Sequence, residues 1–437
     1  MRFRLPSFAI SILILVALGS CSPAPPPPPY TEYRAVTAGG SHTCALTKSG
    51  DAFCWGNNAA GQLGNGSTTA SAKPVLVSGN LKFSKISAGG SHTCGVSQNA
   101  VYCWGMNLNG EVGNGAAPNG PAVTTPTKVS GPANTAYSDV AAGASFSCAV
   151  TTLGVTLCWC QTGMGKLGLG PNQQIGRMGD PALPNESITV PTPVASGNRF
   201  KSIVARGNNV CALSTSNQVF CWGSNLFWQL GATTTDGCQV GTNPLWPCSL
   251  SPKLVTQPQT NNVPTGVMVG DDFACYVNDH YDVYCWGSNA NGLIAPKGSG
   301  ALQVCKFLNG MSFQCSPSPR KVARPVVGAT TMGFVQVAAG PDWLCSSVYP
   351  TGNAVMCWGR NNNGQLGDGQ TVDRETAAPI SGGYGALDVS AGGSHTCLVT
   401  DGATAYRVYC WGSNASGQLG NGATSPREVT PQLVVER

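Results

Sequence analysis

Charge is scarce in this sequence. Of its 437 residues only 10% are Asp, Glu, Lys or Arg, 24 basic against 19 acidic, and neither sign forms a run or a stripe. A nucleic-acid partner needs clustered basic side chains to displace counterions, so none is expected. Histidine is scarcer still, with four residues, which leaves little material for a histidine-based metal centre. The one apolar run, Phe8 to Leu18, is too short to cross a bilayer as a permanent helix, and no other stretch is long and hydrophobic enough. Convincing amphipathic helical periodicity is also missing, while 57 glycines and 31 prolines punctuate the chain. Short strands joined by many turns are the expectation, and the class is all-β.

The one apolar run has its own reading. Arg2 and Arg4 precede it, and Leu18-Gly19-Ser20-Cys21 follows, which resembles a bacterial lipobox whose cysteine is lipidated after cleavage. Residues 1–20 are therefore read as a lipoprotein signal peptide and Cys21 as the lipidation site; Ser22 resembles outer-membrane sorting. Loss of Arg2 and Arg4 leaves 22 basic against 19 acidic residues, a net +3. Residues 21–32 form a linker whose proline run, "SPAPPPPP", is a semi-rigid spacer of about 3 Å per residue.

Cysteine is abundant, with 20 residues, which suits an exported protein better than a reducing cytosol. In "SHTCALTKSGDAFCWGNN", Cys44 and Cys54 face each other across a hairpin if Lys48-Ser49-Gly50 is a three-residue loop, with Gly50 at the position needing positive φ. The same register joins Cys94 to Cys103 around the two-residue loop Gln98-Asn99. It also pairs Cys148 with Cys158, Cys211 with Cys221 and Cys275 with Cys285, and, with longer tips, Cys345 with Cys357 and Cys397 with Cys410. Opposed antiparallel residues lie about 4.5–5.5 Å apart, a separation that a disulfide accepts. Cys238 with Cys248 and Cys305 with Cys315 repeat the ten-residue interval. Cys160 is left over, either a buried spare thiol or one end of an intermolecular bridge.

Cys-Trp recurs seven times, at Trp55, Trp104, Trp159, Trp222, Trp286, Trp358 and Trp411. One period, taken from Pro74, reads as four strands: Pro-Val-Leu-Val, Phe83 to Ala88, His92 to Ser97 and Val101 to Gly105. Such a unit cannot bury both faces alone, and stacking copies in a ring solves that. The elements "AGGSHTC", "CWG" and "NxxGQLGNG", the last with Gly61-Gln62-Leu63-Gly64, Gly364-Gln365-Leu366-Gly367 and Gly417-Gln418-Leu419-Gly420, resemble the regulator of chromosome condensation repeat family over residues 33–436. The resemblance implies a seven-bladed β-propeller of four-stranded antiparallel blades at 33–437, and a binding role with no particular partner. The chain begins at Tyr33 with a second-strand element and ends with a first-strand element, Pro431 to Glu436. The ring is therefore expected to close by pairing of the N- and C-terminal strands in the first blade.

Few residues invite chemistry. Gly163-Met164-Gly165-Lys166-Leu167-Gly168 is formally a G-x-G-x-x-G but precedes no helix, so it reads as a turn. His42, His92 and His395 share one repeat position and read as structural hydrogen-bonding residues. That position runs His42, His92, Phe146, Asn209, Phe273, Trp343, His395. Asp272 and Asp342 replace Ser41 in adjacent repeats, and a polysaccharide-active enzyme using both is the alternative function. With no nucleophile–base set evident, no catalytic residue, cofactor or metal site is expected.

The connection from Trp to the next unit is about 20 residues in repeats 1, 2, 6 and 7 but 30 or more in repeats 3, 4 and 5. In a four-stranded meander these insertions emerge on the face that also carries the His/Phe/Trp position. Two contain a cysteine pair and aromatics, "CQVGTNPLWPC" and "CKFLNGMSFQC", and read either as stapled binding loops or as segments tucked against the rim. The binding face is expected to involve Phe146, Trp246, Phe273, Phe307, Phe313 and Trp343. The resulting expectation is a monomeric cell-envelope lipoprotein, anchored to the membrane only by its lipid, that binds an unknown protein or surface polymer. A purely structural envelope role is the other alternative.

Overall fold

The computed structural model describes residues 31–436 except 117–118, 172–186, 235, 239–245, 259–261, 301, 307–310, 351–353 and 403–405. The leader, Cys21, the proline run and Phe307 lie outside the described residues. From Thr31 onward the chain is one unit, a seven-bladed β-propeller with antiparallel blades. Five blades have four strands, and blades 4 and 5 carry a short fifth. Blade 1 runs Tyr33–Ala38, His42–Thr47, Ala52–Gly56 and Ser71–Leu76 from the axis outward. Blade 7 runs Ala386–Ala391, His395–Thr400, Val408–Asn414 and Ser425–Leu433.

The hairpin register is the expected one. Cys44 opposes Cys54 and Cys94 opposes Cys103; all seven blade hairpins are bridged, with Cα separations of 4.0 to 4.2 Å. The tips obey the turn chemistry that predicted them. Gly50 has φ 87°, and Gln98 and Asn99 have φ 48° and 59°, the left-handed pair that a two-residue hairpin requires. The second strand is buried along its whole length in blades such as His42–Thr47 and His92–Ser97, because a neighbouring blade covers each side.

At every Cys-Trp the pairing to the outer strand shifts register across the tryptophan, as between Cys54 and Gly56. This bulge re-aims the tryptophan out of the ladder and toward the preceding blade. All seven of these tryptophans are fully buried. Each indole N–H donates to a backbone carbonyl in the connection of the blade before it: Trp104 to Gln62 at 2.9 Å, Trp159 to Glu111 at 2.9 Å, Trp222 to Lys166 at 3.0 Å and Trp286 to Gln229 at 2.8 Å. Trp358 reaches Leu293, Trp411 reaches Gln365, and Trp55 closes the circle on Gln418 at 2.9 Å. The two recurring motifs, Cys-Trp-Gly and Gly-Gln-Leu-Gly, are thus the two halves of one inter-blade bond. A buried indole supplies a large apolar surface but needs a partner for its N–H, and this carbonyl is that partner.

Ring closure differs from the expectation. The C-terminal strand pairs within blade 7, Tyr409 opposite Leu433 and Cys410 opposite Gln432, and Tyr33–Ala38 pairs within blade 1. The strand at Pro74 likewise pairs backward, Cys54 opposite Val75, so each blade is one strand out of phase with the period read from the sequence. The ring closes by packing between complete blades. Val36 N–H donates to Asp388 and Ala38 N–H to Ser390 Oγ, both at 2.9 Å, and Thr31 N–H meets the Glu436 carboxylate at 3.1 Å.

Candidate functional site

The turn between the first and second strands and the connection between the third and fourth share one face, as expected. Asn57 N–H donates to Ser41 O and Met106 N–H to Ser91 O, both at 2.9 Å. The variable His/Phe/Trp position lies at this turn, yet His42, His92 and His395 are completely buried, and Phe146, Phe273 and Trp343 are within 1% of it. Phe146, Phe273 and Trp343 therefore lie beneath the face, not on it, and their placement among surface-binding residues is corrected.

The cause is a second inter-blade contact. His42 Nε2 lies 2.9 Å from Thr93 Oγ1 of the next blade, and that hydroxyl donates to Gln62 O at 3.0 Å. The imidazole must then donate from Nε2, leaving Nδ1 as a bare acceptor. His92 meets Ser147 and His395 meets Thr43 in the same way, at 2.9 and 2.8 Å, and Trp343 N–H meets Thr396 Oγ1 at 3.1 Å. Where the next blade offers an apolar residue instead, the ring is apolar: Phe146 shares a core cluster with Val210 and Phe273 with Leu344. Burial without a partner on Nδ1 pushes these histidines down, His42 and His395 to about 3 and His92 to about 4. Neighbouring positive charge adds to this, from His395 and His92 at His42 and from Arg206 at His395.

Blade 4 breaks the pattern. In six blades the ring presses on a glycine three residues earlier; a Cβ on Gly39 would fall 2.5 Å from His42 Cε1, and one on Gly143 would fall 2.1 Å from Phe146 Cε1. Blade 4 has Asn209 in place of the ring and Arg206 in place of that glycine, a coupled exchange, since only removal of the ring makes room for a side chain there. Arg206 crosses the axial mouth to Ala391 O at 3.0 Å and to Gly392 O, with Asp271 Oδ1 at 3.9 Å from Nε. Asn209 turns its amide to Ser224 O at 2.7 Å.

Beside Asn209 a pocket of about 450 Å³ opens among blades 3, 4 and 5. The long connection of blade 4 contributes Leu226, Phe227 and Trp246; the turns of blades 4 and 5 contribute Asn208, Asp271 and Asp272. Lys166 of blade 3 and Gln229 of blade 4 line it from the Gly-Gln-Leu-Gly position. Lys166 Nζ donates to Ser145 Oγ at 3.3 Å and Asn208 Oδ1 at 3.4 Å, and lies 5.6 Å from the Phe146 ring centre. Burial lowers its pKa to about 8, against the pull of Cys160 and Glu111. Burial, then the charges of Asp271 and Asp342, raise Asp272 to about 7.

Of the two carboxylates weighed for glycosidase chemistry, only Asp272 lines this pocket. Asp342 is held by Arg360 Nη1 at 2.9 Å, and burial raises it despite that hydrogen bond. The pocket that Asp272 lines does not include Asp342. Cys160 is buried, stands outside the nine disulfides, and donates to Ser145 O at 2.8 Å. Its φ of 99° matches the 100–106° of the glycines that fill its position in the other six blades.

The two cysteine pairs of the insertions are bridged, Cys238–Cys248 and Cys305–Cys315, at Cα separations of 5.8 and 5.9 Å. Unlike the blade hairpins they join diagonal residues: Cys238 opposes Trp246, and Cys305 opposes Phe313. Each staple thereby fixes the strand that carries an aromatic of the expected face. Phe313 packs edge-on against Phe227, centroids 5.5 Å apart, which links the blade 5 insertion to the pocket wall. Trp246, which lines the pocket, and Phe313, which packs on its wall, are both half-buried. The sequence reading missed Phe227, Asn208, Gln229 and Lys166. The signal available was Asn209, the one member of the repeat position without a ring.

The sequence model of the regulator of chromosome condensation (RCC1) repeat matches residues 49–96, 98–150, 353–399 and 407–436, and a second model of that repeat matches 33–62, 83–111 and 387–418. Those segments of the chain are similar to RCC1 repeats. Its matched segments lie in blades 1, 2, 6 and 7 and the start of blade 3. Among curated relatives, it is 26% identical over 409 residues to the ultraviolet-B receptor UVR8 of Arabidopsis thaliana, covering 91% of this chain and 81% of that one. It is 25% identical over 321 residues to the human E3 ubiquitin-protein ligase HERC2, covering 72% of this chain but only 6% of the ligase. In fold, this propeller is similar to Prp20p of Saccharomyces cerevisiae, with TM-score 0.64 and 21% identity over 82% of this chain and 80% of that one. Human WBSCR16 is similar too, with TM-score 0.67 and 18% identity over 85% and 88%.

Proposed function

We propose that this protein is a non-catalytic binding scaffold of the cell envelope, a monomer tethered by lipid on Cys21 and held off the membrane by its proline run. Its contact surface is the face built by the connections of blades 3, 4 and 5, which engages a protein or a surface polymer. The observation that carries this reading is the adjacency of the long connections: two are stapled by disulfides, that of blade 4 walls a pocket with Phe227 and Trp246, and that of blade 5 packs Phe313 against Phe227. Stapling lowers the ordering cost of a binding loop, and aromatics are the usual anchors of an interface. Protein binding is in keeping with the repeat family, since the yeast relative Prp20p is described by its binding to Gsp1p and histones.

The test is affinity capture from envelope extracts with the intact protein and with a form trimmed at 238–248 and 305–315. Partners retained by the intact form and lost by the trimmed one support the reading. Identical partners on both forms overturn it. Cys21→Ser separates the tether from the face: the variant is expected in the soluble fraction with its partner selectivity unchanged.

A further inference from the structure

We infer that the pocket among blades 3, 4 and 5 is a binding site for a neutral saccharide unit. This rests on the scaffold reading and narrows it, making the partner a carbohydrate-bearing surface polymer. At about 450 Å³ the pocket falls within the roughly 300–1,000 Å³ usual for small-molecule sites. Asn209, which stands where the other blades have a ring, is part of its lining.

The chemistry of the lining selects the ligand. Leu226, Phe227 and Trp246 provide apolar surface, including the flat faces of two aromatic rings. Asn208, Gln229 and Asp272 provide planar groups able to meet adjacent hydroxyls with donors and acceptors. Gln229 Nε2 spends its hydrogens on two long contacts of 3.4 Å, to Asn209 Oδ1 and Ser224 Oγ, so a better acceptor improves its bonding. A pyranose ring matches these walls, since its C–H faces are apolar and its rim carries hydroxyls that both donate and accept.

Charged alternatives fit less well. A phosphate or carboxylate ligand meets Asp271 and Asp272, and a cationic side chain meets the ammonium of Lys166. A neutral polyol meets neither penalty, and each of these groups hydrogen-bonds to hydroxyls in whichever protonation state it holds.

The experiment uses the full protein in detergent micelles. Cellotetraose, chitotetraose, maltotetraose and mannotetraose are titrated calorimetrically, with tetralysine and inorganic phosphate as charged probes. At least one tetrasaccharide is expected to bind, weakened about tenfold or more by Trp246→Ala and by Asn208→Ala and only a few-fold by Trp246→Phe, as for loss or retention of an aromatic anchor. Unfolding temperatures of the variants report whether the fold is intact. No binding by any tetrasaccharide to millimolar concentration overturns the inference, as does binding indifferent to Trp246→Ala, or tetralysine or phosphate proving the tighter ligand at a Trp246-dependent site. If the saccharides fail while capture still depends on the insertions, the scaffold reading stands and only the saccharide falls. If capture is indifferent to the insertions as well, both fall.

Discussion

Blades 1, 2, 6 and 7 differ from blades 3, 4 and 5 in two ways. The first group has short connections and, at the buried ring position, His42, His92, Trp343 and His395, each donating to a hydroxyl of the next blade. The second group has long connections and holds Phe146, Asn209 and Phe273 at that position. Both keep the Trp-to-carbonyl bond, which never varies around the ring. The scaffold is thus specified by a lock common to all blades, while a second contact is free to change provided both sides change together. Where one side changes to a small amide, as at Asn209, that residue lines a pocket.

The sharpest way to break this comparison is to remove an aromatic from each group. Trp104→Ala deletes a fully buried indole and its hydrogen bond, and is expected to cost about 4 kcal/mol. Trp246→Ala, at a half-buried pocket wall, is expected to cost less than about 1 kcal/mol. Chemical denaturation of both variants checks this, and equal losses would mean that Trp246 is core.

Acid distinguishes the groups next. His92 has a pKa near 4 in the fold against 6.5 for the ordinary side chain. The unfolded state therefore takes up the proton first, and stability present above pH 6.5 is lost as pH falls toward 4, on the order of 3 kcal/mol for one histidine. His92→Gln is expected to be less stable than the parent at pH 7, with the gap shrinking by about that amount at pH 4. A gap constant with pH would refute the buried neutral imidazole.

Disulfides give a smaller contrast. Replacing Cys94 and Cys103 by serine is expected to lower global stability by about 2 kcal/mol. The same change at Cys238 and Cys248, in a peripheral connection, should leave the main unfolding transition within about 1 kcal/mol while speeding amide exchange near Trp246. The smallest effect sharpens the comparison from within blade 3. Cys160 holds a backbone conformation suited to glycine, so Cys160→Gly is expected to raise stability by about 1 kcal/mol. A loss there would show that the thiol bond to Ser145 outweighs the strain.

Much of the fold was legible because its signals are local. Hairpin loops of two or three residues set the cysteine spacing, and the same spacing recurs with a tryptophan beside it. The phase of the blades was not legible, since the strand at Pro74 reads equally well with the hairpin before it or after it, and only inter-strand pairing separates the two. The ring position misled for a related reason. Its chemistry varies as a binding surface would, but the variation tracks a partner about 50 residues away in the next blade. Trp246, Phe313 and Asp272 were found from composition and position; Lys166 and Gln229 look like turn residues until neighbouring blades place them around a cavity.

The sequence by itself determined the repeating unit, its internal sulfur bridges, the number of units and the clustering of long connections in three adjacent ones, because each depends on residues close together along the chain. Tertiary structure alone decided how the circle closes, which side chains lie beneath the face and which on it, and where a pocket opens. Those outcomes depend on contacts between blades, where one side chain occupies or vacates the space that its neighbour needs.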